Sequence, residues 1–363
     1  MPFIVSIGEA VPKNIIDQQQ AMEFAKVIFS DTFREIERLL QAFQNGQIMK
    51  RHIVQPIEWY KEEHSFAEKN IVYLKASTSL GIVAINQCLS NNDFLNEAVK
   101  IDEIDAIFMI SSTGVATPSI EARIMNQLPF SPHTKRIPIW GLGCAGGAVG
   151  LSRAHEYCLA FPKAKVLVLA VELCSLTFQR NDLSKSNFIG TSLFADGVAC
   201  ALVCGDRSNG KLHSKKTTAP FIMDTQSTLM PQSLDVMGWE LKSEGLHVVF
   251  SKDIPTIVEK WLQPNVMEFL NKIGIEMSEI HHFIAHPGGK KVLEAYVKAL
   301  QIPDSMTEIS LDVLKNYGNM SSTTILFVLK QYMDLAQAGD RGLLTALGPG
   351  FSSELLALRW ESL

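Results

Sequence analysis

No two cysteines in this sequence are separated by only two residues. The six that occur, Cys88, Cys144, Cys158, Cys174, Cys200 and Cys204, sit mostly in apolar runs such as LVLAVELCS and GVACALVC. This excludes a zinc-type spacing and argues against a disulfide framework, so reduced thiols in a cytoplasmic protein are expected. An excess of positive charge is also missing: 33 Lys and Arg against 38 Asp and Glu give a formal net charge of −5. With no basic stripe to neutralise a phosphate backbone, nucleic acid is not an expected partner. Long apolar runs are absent too. Runs such as VLVLAV fall far short of the roughly 20 residues that a membrane-spanning helix needs. MPFIVSIGEAVP lacks the basic segment of a signal peptide, so neither a membrane span nor a secretory leader is expected.

What the chain does have is alternation. Short β-branched apolar segments (AIFMISS, KVLVLAVEL, GVACALVCG, HHFIAHP, GLLTALG and LLALRW) are spaced by longer amphipathic stretches within 363 residues of 47% hydrophobic composition. Buried strands alternating with helices define an α/β fold large enough for two fused units. The most polar stretch, GDRSNGKLHSKKTTAP at 205–220, is the natural connection between them, dividing the chain into 1–210 and 211–363. An internal repeat supports two units: EIDAIFMISSTG from Glu103 resembles EIHHFIAHPGG from Glu279, and at nearly the same offset WGLGCAGGAV meets KNYGNMSSTT. Cys144 and Asn319 are thereby equivalent positions in two copies of one unit.

Each of these residues follows a glycine and precedes a segment with helical spacing, GGAVGLSRAHEYCLAF or SSTTILFVLKQYMDLA. Both should lie at helix N-termini, where free N–H groups and the macrodipole favour negative charge. Asparagine is an ordinary capping residue there. Cysteine in such a place is expected to have a lowered pKa and to act as a nucleophile, although a small-residue segment around a buried cysteine also reads as plain packing. A nucleophile needs a base and donors for a developing oxyanion. Of nine histidines, His286 stands out because it ends an apolar run before Pro-Gly-Gly, and ligands in α/β sheets collect at such strand ends.

Taken in order, GLGCAGGAVG, FADG, AHPGG, YGNMSS and GPG resemble the type III polyketide synthases, relatives of chalcone synthase, along essentially the whole chain. The resemblance implies a thiolase-like fold of two duplicated α/β halves stacked as five αβαβα layers, and a cytoplasmic homodimer. It implies a Cys-His-Asn triad at Cys144, His286 and Asn319. Cys144 would take an acyl group from coenzyme A, His286 would pair with it as imidazolium, and His286 with Asn319 would hold the enolate formed when malonyl-CoA loses carbon dioxide. No metal or other cofactor is implied beyond the coenzyme A thioester substrates.

The same resemblance assigns Phe194 as a gatekeeper, Gly348, Pro349 and Gly350 as a loop beside the cavity, and Ser321 to the substrate site. It places Thr117, Cys174, Thr177 and Val248 in the pocket. Val248 stands where plant relatives carry a second phenylalanine and Thr117 where they often carry methionine. A missing ring at 248 should widen the passage and an aliphatic lining suits an apolar chain, so a long-chain fatty acyl-CoA starter and alkylpyrone products are expected. Lys50 and Arg51 are candidates for the coenzyme A phosphates or simply a solvated pair. The rivals are a single-condensation ketoacyl synthase, whose histidine is typically followed by Gln-Ala-Asn where this chain has Pro-Gly-Gly, a plant-type membrane elongase, for which the chain lacks a span, and a non-catalytic acyl-CoA-binding protein.

Overall fold

A computed structural model describes residues 1–30, 32–33, 35–251 and 253–363. Its main sheet has nine strands. From one edge these are His282–Ala285, Arg341–Gly348, Ser352–Ser362, Thr218–Leu229, Phe3–Ala10, Asp196–Cys204, Lys165–Leu173, Ala106–Ile110 and Lys135–Ile139. The apolar segments picked out by sequence are therefore strands. Lys165–Leu173 and Asp196–Cys204 are buried at every position, which is why they read as continuous hydrophobic runs rather than alternating ones.

The duplication is visible in the topology. Ala106–Ile110 runs parallel to Lys165–Leu173, which is antiparallel to Asp196–Cys204, which is antiparallel to Phe3–Ala10. His282–Ala285, Arg341–Gly348, Ser352–Ser362 and Thr218–Leu229 repeat that order and those directions. The two sets are joined through the single register pair Phe3↔Phe221. Helices Gly146–Ala160 and Thr324–Leu335 pack against strands of both sets and against each other. Phe66–Leu89 covers the outside of the first set, while Ile254–Lys272 and Lys290–Leu300 pack together over the second. This is the thiolase-like α/β arrangement of alternating helix and sheet layers. The stretch 205–220 contains one helical turn, Gly210–His213, and runs into the strand Thr218–Leu229.

A smaller lobe caps one end. Helix Gln18–Phe29 starts at Asp17, whose carboxylate accepts from Gln20 N–H while the Gln20 side chain accepts from Asp17 N–H, satisfying two otherwise orphaned donors. It packs with Ile36–Gly46 and Lys185–Leu193 around Phe188, onto whose ring Phe29 and Phe43 point edgewise at 5.3 and 5.5 Å. No helix among the described residues is long and apolar enough to cross a membrane.

Candidate active site

The segment around Cys144 owes its small residues to both packing and placement. Gly143 has φ +45°, a conformation costly to any side chain, and the Pro349 ring occupies the space where its Cβ would stand. A Cβ on Gly147 would overlap the Ser322 carbonyl. The start of helix Gly146–Ala160 can thus lie directly on the turn that follows Asn319, and this contact brings the two equivalent turns together. Each turn is a short 3-10 segment, Gly143–Ala145 and Ser321–Thr323, leading into a central helix.

The Asn319 turn is held from several sides. Asn319 N–H donates to Leu193 O and Ala195 N–H donates to Asn319 O, both at 2.9 Å, which seats Phe194 beside it. The Asn319 Oδ1 accepts from Ser321 N–H at 2.8 Å, and Nδ2 donates to Gly288 O at 3.1 Å, two residues beyond His286. With Oδ1 committed to the backbone, the second Nδ2 hydrogen is the amide's remaining donor. Ser321 has φ +49°, a strained conformation for a residue with a Cβ that the same contact holds in place. Ser322 Oγ donates to Glu172 at 2.6 Å, and Thr323 Oγ1 reaches Ala170 O and Gly197 O, each at 3.2 Å. Strands of the first set therefore position a turn of the second.

Burial governs the charges. Cys144 is pushed up to about 12, mainly by desolvation, with Ser321 and Asn319 side chains pulling the other way. Desolvation pushes His286 down to about 3, and neither of its ring nitrogens has a hydrogen-bond partner among the described residues. The helix start is thus outweighed: the expected lowering of the thiol pKa gives way to a neutral Cys144 thiol, and the His286 imidazole is neutral as well, because a charged form of either alone would lose its hydration. Glu172, wholly buried, is raised to about 7 by desolvation although it accepts from Ser112 N–H and the hydroxyls of Ser112, Thr113 and Ser322.

A cavity of about 600 Å³, part of it open to solvent, lies under the capping lobe and is lined by Phe194, Val248, Cys174 and Thr177 with Ile16, Ala21, Phe24, Ile53 and Ile57 among others. Four of the pocket residues assigned by resemblance thus meet in one wall. Thr117 is elsewhere, exposed at the surface. Gly348 and Pro349 lie against the Cys144 turn, at Ala145 and Gly143. Arg51 corrects another expectation: it is 1% exposed, lines the cavity and donates to Thr191 O and to Gln18 Oε1, so it belongs to the interior and not to a solvated pair. Lys50 is exposed.

Several side chains here gave no sequence signal. Trp239 and Phe250 lie with ring centroids 5.6 Å from that of Phe194, so the missing ring at Val248 is partly made up by its hairpin neighbours. Glu172 is a buried carboxylate inside the strand Lys165–Leu173 and is visible in sequence only as a single acid in an apolar run, while Asp196, buried at the start of Asp196–Cys204, stands in the FADG motif with no sign of the side chains it meets.

Residues 2–207 match the family of chalcone and stilbene synthases, N-terminal domain, and residues 222–361 match its C-terminal domain. A Bacillus subtilis (strain 168) protein named provisionally as a chalcone synthase is 54% identical over 363 residues, 99% of either chain. The 1,3,6,8-tetrahydroxynaphthalene synthase of Streptomyces coelicolor is 31% identical over 355 residues, 97% of this chain and 91% of that one. Its crystal structure, described as a bacterial type III polyketide synthase, superposes with a TM-score of 0.91 at 30% identity, covering 99% of this chain and all of that one. The alpha-pyrone synthesis polyketide synthase-like Pks18 of Mycobacterium tuberculosis is 26% identical, over 97% of this chain and 89% of its own.

Proposed function

The chain belongs to the chalcone and stilbene synthase family of type III polyketide synthases, and from that premise we propose that it condenses a long-chain fatty acyl-CoA with malonyl-CoA to give alkylpyrones. The family's reaction is decarboxylative acyl transfer, run on coenzyme A thioesters without a metal or other cofactor. Cys144 is the residue we assign as nucleophile, His286 as its base and Asn319 as a donor to the enolate oxygen. Because burial keeps Cys144 and His286 neutral at rest, the thiol proton passes to His286 as the thioester is attacked. In the next half-reaction His286 and the Nδ2 hydrogen of Asn319 not given to Gly288 hold the enolate oxygen, whose charge develops where water is excluded. Ser321 acts through the Asn319 amide that its N–H clamps, and the Gly348-Pro349-Gly350 loop shapes the cavity's edge.

The observation that carries the starter is the apolar, mostly aliphatic wall formed by Ile16, Ala21, Ile53 and Ile57 with the Phe24 ring, beyond Phe194 and Val248. Each buried methylene contributes about 0.8 kcal/mol, roughly a fourfold preference per carbon until a wall intervenes. Relatives bear names as different as tetrahydroxynaphthalene synthase, phloroglucinol synthase and alpha-pyrone synthesis, and this wall favours the last. We also propose a division at 210/211, a cytoplasmic location, and a homodimer through the exposed face bearing Ile71, Val115 and Trp140, which also presents Thr117.

Competition between acyl-CoAs of increasing length, followed by mass analysis of products, tests the starter. The parent should select long chains, and Val248→Phe should move the optimum to shorter ones. An aromatic starter preferred by the parent, or an optimum that Val248→Phe leaves in place, would overturn the assignment.

A further inference from the structure

The cavity wall contains a hydrogen-bonded chain that the condensation chemistry leaves unused. Tyr60 and Ser175 both line the cavity, and their hydroxyl oxygens are 2.6 Å apart. Ser175 Oγ donates to Asp196 Oδ2 at 2.5 Å. A hydroxyl has one proton to give. With that of Ser175 committed to the carboxylate, the Tyr60 proton must lie on the serine side, leaving the Tyr60 oxygen as an acceptor. Its other protein contact is a long one, from Gln55 N–H at 3.4 Å. Asp196 is fully buried and is further held by Ser175 N–H and Val54 N–H, each at 2.7 Å. It lies two residues beyond Phe194 on the segment that pairs with Asn319, so the chain of hydroxyls runs from the cavity to a carboxylate anchored beside the catalytic turn.

We propose that Tyr60, Ser175 and Asp196 form a proton relay that closes the product ring. The relay rests on the family's polyketide chemistry and, for the pyrone product, on the function proposed above. The enol oxygen of the bound polyketide attacks the thioester carbon on Cys144. An O–C bond forms, the C–S bond breaks and sulfur leaves as thiolate. The enol proton passes to the Tyr60 oxygen, the Tyr60 proton to Ser175 Oγ and the Ser175 proton to Asp196. Release of a proton from Asp196 to solvent and uptake of one by the Cys144 thiolate restore the resting enzyme. Two further features fit. Desolvation raises Asp196 to about 7, giving it affinity for a proton near neutrality. Burial also raises the Tyr60 hydroxyl, so it hands on a proton in concert rather than ionising. Tyr60 and Ser175 are the catalytic residues of this step because they face the substrate; Asp196 acts through Ser175.

The experiment uses the full chain with lauroyl-CoA and malonyl-CoA, and reads the ratio of cyclised product to open-chain acid, normalised to carbon dioxide released. Tyr60→Phe and Ser175→Ala should each lower the ratio at least tenfold. Ser175→Thr, which keeps the hydroxyl, should recover it to within threefold of the parent. The double variant should fall no further than either single one, because both break one relay. A ratio within twofold of the parent in Tyr60→Phe, additive effects in the double variant, or failure of Ser175→Thr to recover the ratio would overturn the relay. If the parent refuses lauroyl-CoA, the fatty starter alone is overturned, and the ratio is read with whichever acyl-CoA it does load.

Discussion

The turn carrying Cys144 and the turn carrying Asn319 are the same device used for opposite ends. Cys144 and Asn319 each follow a glycine, and in each turn a three-residue 3-10 segment, Gly143–Ala145 or Ser321–Thr323, leads into a central helix. The Asn319 turn is densely satisfied: its amide, Ser322 and Thr323 all bond to neighbouring elements. The Cys144 turn has no such anchors: of residues 143–147, Gly143, Ala145, Gly146 and Gly147 carry no polar side chain, and only Cys144 does. One copy has been tied down to aim a donor, the other kept bare to admit a reactant. The difference teaches that the scaffold supplies position while burial sets ionisation, since the same helix-start geometry leaves Cys144 protonated at rest.

Three measurements would break or sharpen this contrast. The largest effect is expected on the bare side: Cys144→Ala should abolish the covalent adduct seen by intact-protein mass spectrometry after acyl-CoA treatment. An adduct that persists, mapping to Cys174 in the cavity wall, would transfer the nucleophile's role. On the tied side, Asn319→Ala should slow carbon dioxide release from malonyl-CoA by about a hundredfold to a thousandfold, and near-normal release would remove Asn319 from the enolate site.

The smallest effect concerns stability against pH, where two buried groups act with opposite sign. His286 falls from 6.5 to about 3 on folding. Between those values the unfolded chain binds more protons, so its contribution is full above pH 6.5 and is lost as pH falls toward 3. Glu172 rises from 4.5 to about 7, so the folded state binds more protons in that window and stability is lost as pH rises through it. Each slope is at most about 1.4 kcal/mol per pH unit. Denaturant melts should therefore show Glu172→Gln gaining stability relative to the parent between pH 5 and pH 7. A gain that shrinks over that interval would contradict the raised carboxylate.

Much of this was legible in the sequence because periodicity and glycine placement are local signals. Runs such as KVLVLAVEL and GVACALVCG read as buried strands, and the pairing of WGLGCAGG with KNYGNMSS shows the repeat from the residues alone. Composition gave no hint that Arg51 turns inward, since a Lys-Arg pair on a short strand reads as a solvated face until the capping lobe closes over one of the two. Nor could it show that Tyr60, Ser175 and Asp196 meet, because their contacts span 21 and 115 positions of sequence. The pKa of Cys144 was missed for a related reason: a helix start is visible in sequence, but the depth at which it is buried is a property of the whole fold.

The bare contact of Gly147 on the Ser322 carbonyl has a consequence for how such an enzyme can change. With backbone on backbone there is no side chain to trim or enlarge, so the distance between the two turns is fixed by the chain itself and is closed to gradual mutation. The capping lobe is the reverse case, a separately packed cluster around Phe188 that supplies part of the apolar wall through Ile16 on a short strand and Ala21 and Phe24 on a helix. Substitutions there can resize the chamber while the reacting centre stays in register. Variation in what is made and constancy in how it is made are thus written into different parts of one chain.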